Sequence, residues 1–184
     1  MRHWKNAISV SDLGQLMADW LEGRIPKRPG YSGRRPDSET TTRIIRTLAA
    51  INRAGFVTDQ SQPGCDQMGT GRSRGQRWLQ RAAVQGFVAD PSLLAALRDA
   101  GQRAGLTVIV DGPQQVATWV DGEPYTAFGG SITGGDLRVT WDGIGRDAWN
   151  DVRGARNVAI IDPHAGPSDR LWDVLDQVAR RYAR

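Results

Sequence analysis

The sequence predicts an α/β or α+β fold: a mixed β-sheet packed by helices, with a helical N-terminal region and a C-terminal helix. Three observations predict it. Several stretches repeat apolar residues at helical spacing. Between them, short apolar or alternating runs are bounded by Gly, Pro and Asp, as strands are. From Arg77 to Val110 the order strand, helix, strand is that of a βαβ unit, which implies a local parallel pair. At 184 residues the chain is expected to be a single domain, 1–184.

Leu13, Leu16, Met17, Trp20 and Leu21 form the first helical stripe, with Ser11 as its N-cap and Gly23 as its stop. Residues 24–38 follow as a basic loop, because Pro26, Pro29, Pro36, Gly30 and Gly33 forbid a regular element there. A second helix carries Ile44, Ile45, Leu48 and Ile51, is capped by Asp37 or Ser38, and ends at Gly55 in the manner of a left-handed C-cap. The chain then enters "FVT" as a strand whose continuation, Thr58–Cys65, reads as a polar loop. "GCDQMGTGRSRGQ" reads as a flexible loop without periodicity, and "RWLQRAAVQGFVA" as a strand in which Gly86 marks a bulge.

Asp90-Pro91 is an N-cap followed by Pro at the first helical position, opening a helix through Leu93, Leu94 and Leu97 that stops at Gly105. "LTVIV" is the next strand. "VATWV-DG-EPYTAF" is a hairpin, since Asp-Gly favours the turn whose twist matches the strands, and Pro124 keeps its strand at a sheet edge. "LRVTW" alternates as a strand, "NVAII" is an apolar strand, and Leu171, Val174, Leu175, Val178 and Tyr182 make the final helical stripe.

Composition narrows the classes of function. No run approaches the roughly 18 to 20 apolar residues that cross a bilayer, and "MRHWKNAISV" lacks a signal-type apolar core, so no membrane partner and a cytoplasmic location are expected. One cysteine, Cys65, and two histidines, His3 and His164, supply few soft ligands, so no metal site is expected. The formal net charge of +4 belongs to the first half, where residues 1–35 carry seven cations against three anions. A basic end steers toward anions, although a charge this modest is more often a solvated surface.

In open α/β sheets, ligands collect beyond strand ends, where loops meet helix N-termini. Three stretches answer to that: Thr58–Cys65, Phe128–Asp136 and Asp162–Asp169. In the first, Thr58, Gln60, Ser61 and Gln62 bring donors and acceptors while Pro63-Gly64 lets backbone approach closely, so Thr58, Gln60, Ser61, Gln62 and Gly64 are the expected ligand-binding residues. A turn satisfying its own backbone competes evenly with that reading. Cys65 beside it has no base nearby in sequence and is more readily structural. "FGGSITGGDLRV" has the glycines of a phosphate cradle but no Lys and no P-loop spacing, so a bulge or hairpin loop is preferred. Asp162 and His164, placed past an apolar strand and before a helix, are the candidates for acid/base catalysis, with Thr58 and Ser61 holding substrate. Arg72, Arg74, Arg77, Trp78 and Arg81 interleave cations with an aromatic, as single-strand binders do, but no recognised motif accompanies them and a solvated, loop-flanking charge cluster is the preferred reading.

"WKNAISVSDLGQLMADWLEG", "PGY", "LAAINRAGFVTDQSQPG", "QRAAVQGF" and "DPHAGPSDRLWDVLD" together resemble an uncharacterised domain-of-unknown-function family of actinobacteria, their phages and mobile elements. The resemblance runs along nearly the whole chain. It implies an intracellular actinobacterial or phage origin, places Thr58, Ser61, Gln62, Pro63 and Gly64 in a characteristic loop, and implies no activity or cofactor. A looser similarity links the helix-Gly-strand-Thr-x-x-Ser arrangement to small α/β proteins that bind polar ligands, among them a transfer-RNA wybutosine methyltransferase family, which usually has Cys where this chain has Gln62. The leading functional expectation is therefore a module that binds a polar small molecule or nucleotide at Thr58–Gly64. A host-protein interaction factor and a nucleic-acid-binding accessory protein are the alternatives.

Overall fold

The computed structural model describes residues 2–37, 40–70 and 73–182. Its helices are α1 (Arg2–Lys5), α2 (Val10–Leu21), α3 (Thr42–Arg53), α4 (Pro91–Arg103), α5 (Gly134–Thr140), α6 (Arg146–Gly154) and α7 (Arg170–Tyr182). Its strands are β1 (Phe56–Gln62), β2 (Cys65–Met68), β3 (Arg77–Val88), β4 (Thr107–Val110), β5 (Gln115–Val120), β6 (Glu123–Phe128) and β7 (Arg156–Ala165). The fold is α+β.

The long strand β3 organises the sheet. Its C-terminal half pairs with β1 on one edge and β7 on the other, and β4 pairs beyond β7. Its N-terminal half pairs with β2 and with β5, which carries β6. All these pairings are antiparallel. The parallel neighbours expected of a βαβ unit are thus corrected in one respect: β3 and β4 run the same way, but β7 lies between them. A crossover helix fixes direction, not adjacency, and the later, more apolar strand takes the central place.

Alternation along β7 shows how the layers form. Val158 and Ile160 join the main core with the helices, whereas Ala159 and Ile161 join a second cluster with Ala83, Ile109, Ala117 of β5 and Phe128 of β6. One face of the sheet is therefore covered by α2, α3, α7 and α4 packed side by side. The other is covered in part by the β5–β6 hairpin. That hairpin turns at Asp121-Gly122, both at positive φ (52° and 89°), as the Asp-Gly pair requires.

Local chemistry accounts for the element ends. Asp90 accepts from Ser92 N at 2.8 Å ahead of Pro91, as expected. The first N-cap is Ser9, not Ser11, since Ser9 Oγ accepts from Asp12 N. The second is Thr41, not Asp37, while Ser38 lies outside the described residues. "LRVTW" is not a strand but the end of α5 and its C-cap. Thr133 and Asp136 form a capping box, and Leu137 and Trp141, four apart, are both buried while Val139 is exposed. Five residues whose alternation also fits one helical turn carry both signals, and the cap decides between them. Part of the stretch expected as a flexible loop is β2, whose polar residues suit an exposed edge.

Candidate functional site

The polar run is strand, not loop. Thr58 pairs with Gly86 and Gln60 with Gln85, so Asp59 is the extra residue of a β-bulge. Gly86 makes this possible: a Cβ there would lie 2.2 Å from the Val57 carbonyl oxygen and 2.6 Å from Thr58 Cα. The sequence placed the bulge on Gly86, and the structure places the extra residue opposite it.

The bulge forms one wall of a cavity of about 330 Å³. Thr58, Asp59, Gln60, Ser61 and Gln62 line it from β1; Met17, Trp20 and Leu21 from α2; Thr126 and Phe128 from β6. The basic Pro/Gly loop folds over the remainder as a strap, contributing Arg28, Tyr31, Pro36 and Asp37. Four of the five expected ligand-binding residues thus meet at one cavity. Gly64 does not line it. Its missing Cβ instead leaves room for Gly166, whose carbonyl oxygen would lie 2.1 Å from that atom.

Those four residues are not equivalent. Thr58 is buried and committed: its N–H donates to Asn52 Oδ1 at 2.9 Å and its Oγ1 accepts from Asn52 Nδ2 at 2.7 Å. Gln62 donates from Nε2 to the Arg81 carbonyl at 2.9 Å, and its Oε1 lies 3.1 Å from Thr126 Oγ1, tying β1 to β3 and β6. Gln60 is exposed and Ser61 half-buried, and both line the cavity.

Two charged residues that the sequence reading passed over dominate the electrostatics. Arg28 packs against a pair of rings that meet edge to face, 5.0 Å from the Trp20 centroid and 4.9 Å from that of Tyr31, and its Nη2 donates to the Asp59 carbonyl at 3.1 Å. Burial pulls its pKa down against the opposing charges of Asp59, Tyr31 and Asp37. Asp59 is 8% exposed. Burial pushes its carboxyl up to about 7, opposed by the charge of Arg28 and by hydrogen bonds from the backbone N–H groups of Asp59 and Gln60. Tyr31 donates to Asp37 Oδ1 at 2.6 Å, closing the strap upon itself. Three lining residues carry a buried polar atom without a hydrogen-bond partner: Trp20 Nε1, Arg28 Nε and Asp59 Oδ1. An apolar cluster before the strap and a lone Asp within a polar run were the available signals, but neither shows that the strap crosses the bulge.

Asp162 and His164 do not line this cavity. Asp162 is buried at the end of β7, where Oδ1 accepts from His164 N at 3.0 Å and Oδ2 from Ser168 Oγ at 2.7 Å. Burial raises its pKa, but the Ser168 hydroxyl, the His164 N–H and the charge of Arg170 outweigh burial and hold it below the usual carboxylate range. The His164 side chain is 73% exposed, with Nδ1 at 3.4 Å from Arg170 Nη1. Asp162 thereby organises the turn into α7.

The remaining stretches resolve simply. Gly129 N donates to Gln85 Oε1 at 2.6 Å and Gly130 N to the Gly112 carbonyl at 2.8 Å, so these amides are spent within the chain and do not cradle a phosphate. Alternation along β3 separates the Arg and Trp residues that a single-strand binder would align. Arg77 and Arg81 share a groove with Trp119, Trp78 packs edge-on against Tyr125, and Arg77 is ion-paired to Asp66. Arg72 lies outside the described residues. Cys65 opens β2 and does not line the cavity. Of the seven Trp, four (Trp4, Trp20, Trp141 and Trp172) are buried in the core. Among the described residues no helix is long and apolar enough to cross a membrane, and no three His, Cys, Asp or Glu side chains converge as metal ligands.

The model of a domain of unknown function, DUF6919, matches residues 1–181. No curated protein matches the chain.

Proposed function

The chain belongs to the DUF6919 family, and from the geometry of its cavity we propose that it binds a polar small molecule, nucleotide-like in size and polarity, between the β1 bulge and the strap. The observation that carries this reading is the coincidence of three unpartnered buried polar atoms on residues lining one cavity. Each such atom costs on the order of 1–3 kcal/mol when left without a partner, and native chains concentrate such violations at functional sites. The cavity volume of about 330 Å³ falls within the range of small-molecule pockets.

Division of labour along the polar run supports the same reading. Thr58 and Gln62 fix the strand to its neighbours, which leaves Ser61 and Gln60 to meet a ligand from a rigid wall.

A thermal-shift screen of metabolites and nucleotides tests the proposal. A true ligand at about 100 times its Kd stabilises the protein by roughly 2.7 kcal/mol. Stabilisation should shrink in Ser61→Ala and in Trp20→Phe. A hit that binds both variants as tightly as the parent overturns the assignment of this cavity.

A further inference from the structure

Arg28 is a half-buried guanidinium whose Nε has no hydrogen-bond partner. Its Cζ lies 5.0 Å from the Trp20 centroid and 4.9 Å from that of Tyr31, two rings that meet edge to face at 5.3 Å on one side of it, and its hydrogen bonds go to neutral backbone oxygens, Asp59 O at 3.1 Å and Pro29 O at 3.5 Å. Among the described residues it makes no ion pair. A half-buried cation in this position is costly unless an anion arrives, and a planar guanidinium held by ring contacts and backbone hydrogen bonds is the side chain best suited to a carboxylate or phosphate. Building on the cavity as the binding site, we propose that its ligand carries an oxyanion, a phosphate or a carboxylate group, and that Arg28 receives it.

The other titratable groups lining the cavity fit this assignment. Among the described residues they are Asp59, Tyr31 and Asp37; α2, α3 and β6 contribute none. The Tyr31 hydroxyl is held neutral by its hydrogen bond to Asp37, which pushes its pKa up, and Asp37 sits exposed at the rim with its carboxylate engaged by that hydroxyl. Asp59 is the only one of the three that is buried. With its pKa near 7, it is protonated in mildly acidic solution and leaves the charge of Arg28 uncancelled for an incoming anion. Above neutrality it ionises, cancels part of that charge and repels the anion. For a ligand whose own charge does not change, anion affinity should therefore fall as pH rises through about 7, and for a phosphate, which itself ionises further at about pH 6, the fall is read against Asp59→Asn.

Calorimetry on the full chain tests this with inorganic phosphate, acetate, and a panel of nucleosides against their 5′-monophosphates. The monophosphate is expected to bind at least about tenfold more tightly than its nucleoside, a difference of about 1.4 kcal/mol. Competition by inorganic phosphate alone identifies a phosphate ligand, and equal competition by acetate identifies a carboxylate. Arg28→Gln should erase the preference and Arg28→Lys should keep part of it. Asp59→Asn, a neutral isostere of the protonated acid, should bind the same anion more tightly than the parent at pH 8 and equally at pH 6, so the result does not depend on Arg28→Gln folding. Nucleoside and monophosphate binding alike would refute the oxyanion while leaving the cavity as a site. Absence of binding by all these anions at millimolar concentration, or weaker anion binding by Asp59→Asn at pH 8, also overturns the assignment. Failure of the cavity itself shows differently, as variants that leave every hit of the wider screen unaffected.

Discussion

Asn52, on the last turn of α3, holds Thr58 of β1 by two hydrogen bonds at once, accepting from its N–H at 2.9 Å and donating to its hydroxyl at 2.7 Å. The same Nδ2 also donates to the Leu48 carbonyl, so one fully buried amide joins the helix to the strand just before the bulge. Asn52→Ala should therefore cost about 2–4 kcal/mol, since buried groups left without partners cost roughly 1–3 kcal/mol each. Thr58→Val removes only the hydroxyl and should cost about 1 kcal/mol. Urea unfolding, read as a fall in midpoint at constant slope, measures both. Equal losses would show that Thr58 N–H does not depend on Asn52.

Asp59 sets a pH dependence of stability. Its pKa rises from an ordinary 3.8 to about 7 on folding, so the unfolded chain gives up this proton more readily than the folded one. The native state is thus favoured by this group below about pH 4, and that contribution is lost progressively as pH rises to about 7. Asp59→Asn removes the titration. Its melting temperature relative to the parent should be higher at pH 8 than at pH 5, and a difference that does not change with pH refutes the buried acid.

The helices and most strands were legible because their signals are local. Asp90-Pro91, the Asp121-Gly122 turn and the spacing of Leu171, Val174, Leu175 and Val178 each act within a few residues, and each holds in the fold. What escaped was non-local. Gly86 shows an irregular strand from sequence, but which residue bulges depends on the partner strand. Arg28 reads as one cation in a basic loop, and only the path of the strap places it against the Trp20–Tyr31 pair beside Asp59. The polar run reads as a loop from sequence, because a bulged strand next to a cavity tolerates the residues a loop does.

The final helix is structural. Leu175 is fully buried in α7, which packs between α3 and α4 over β7. Leu175→Ala should cost about 2–5 kcal/mol through lost burial and the cavity left behind, against a typical total of about 5–15 kcal/mol. Deleting residues 169–184 should abolish cooperative unfolding, and a truncated chain melting near the parent's temperature would refute the central place of α7.

Gly86→Ala tests the bulge. Its new Cβ would meet backbone at 2.2 Å, which no rotamer relieves, so β1 must move away from β3 where Asp59 stands. Overpacking of this kind costs about 1–3 kcal/mol. The distinctive expectation is that Asp59 shifts with it, so the difference between parent and Asp59→Asn stability at pH 8 should shrink in the Gly86→Ala background. Additive effects would mean that the two residues are independent.

Ser61 and Gln62 are neighbours with opposite expected behaviour. Gln62 donates to the Arg81 carbonyl and lies 3.0 Å from Thr118 Oγ1 and 3.1 Å from Thr126 Oγ1, so an apolar replacement leaves several polar groups of β3, β5 and β6 without partners. Gln62→Leu should lower stability by about 1–3 kcal/mol. Ser61 lines the same cavity half-buried, and Ser61→Ala should change stability by no more than about 0.5 kcal/mol, as for surface positions outside a network. If Ser61 meets the ligand, Ser61→Ala nonetheless weakens binding, whereas Gln62→Leu weakens it only in proportion to the distortion of β1. Measuring unfolding and ligand affinity on both variants separates wall from contact: a Ser61→Ala protein as stable and as tightly liganded as the parent removes Ser61 from the site, and a stable Gln62→Leu would show that the cluster joining β1 to the hairpin does not hold the wall in place.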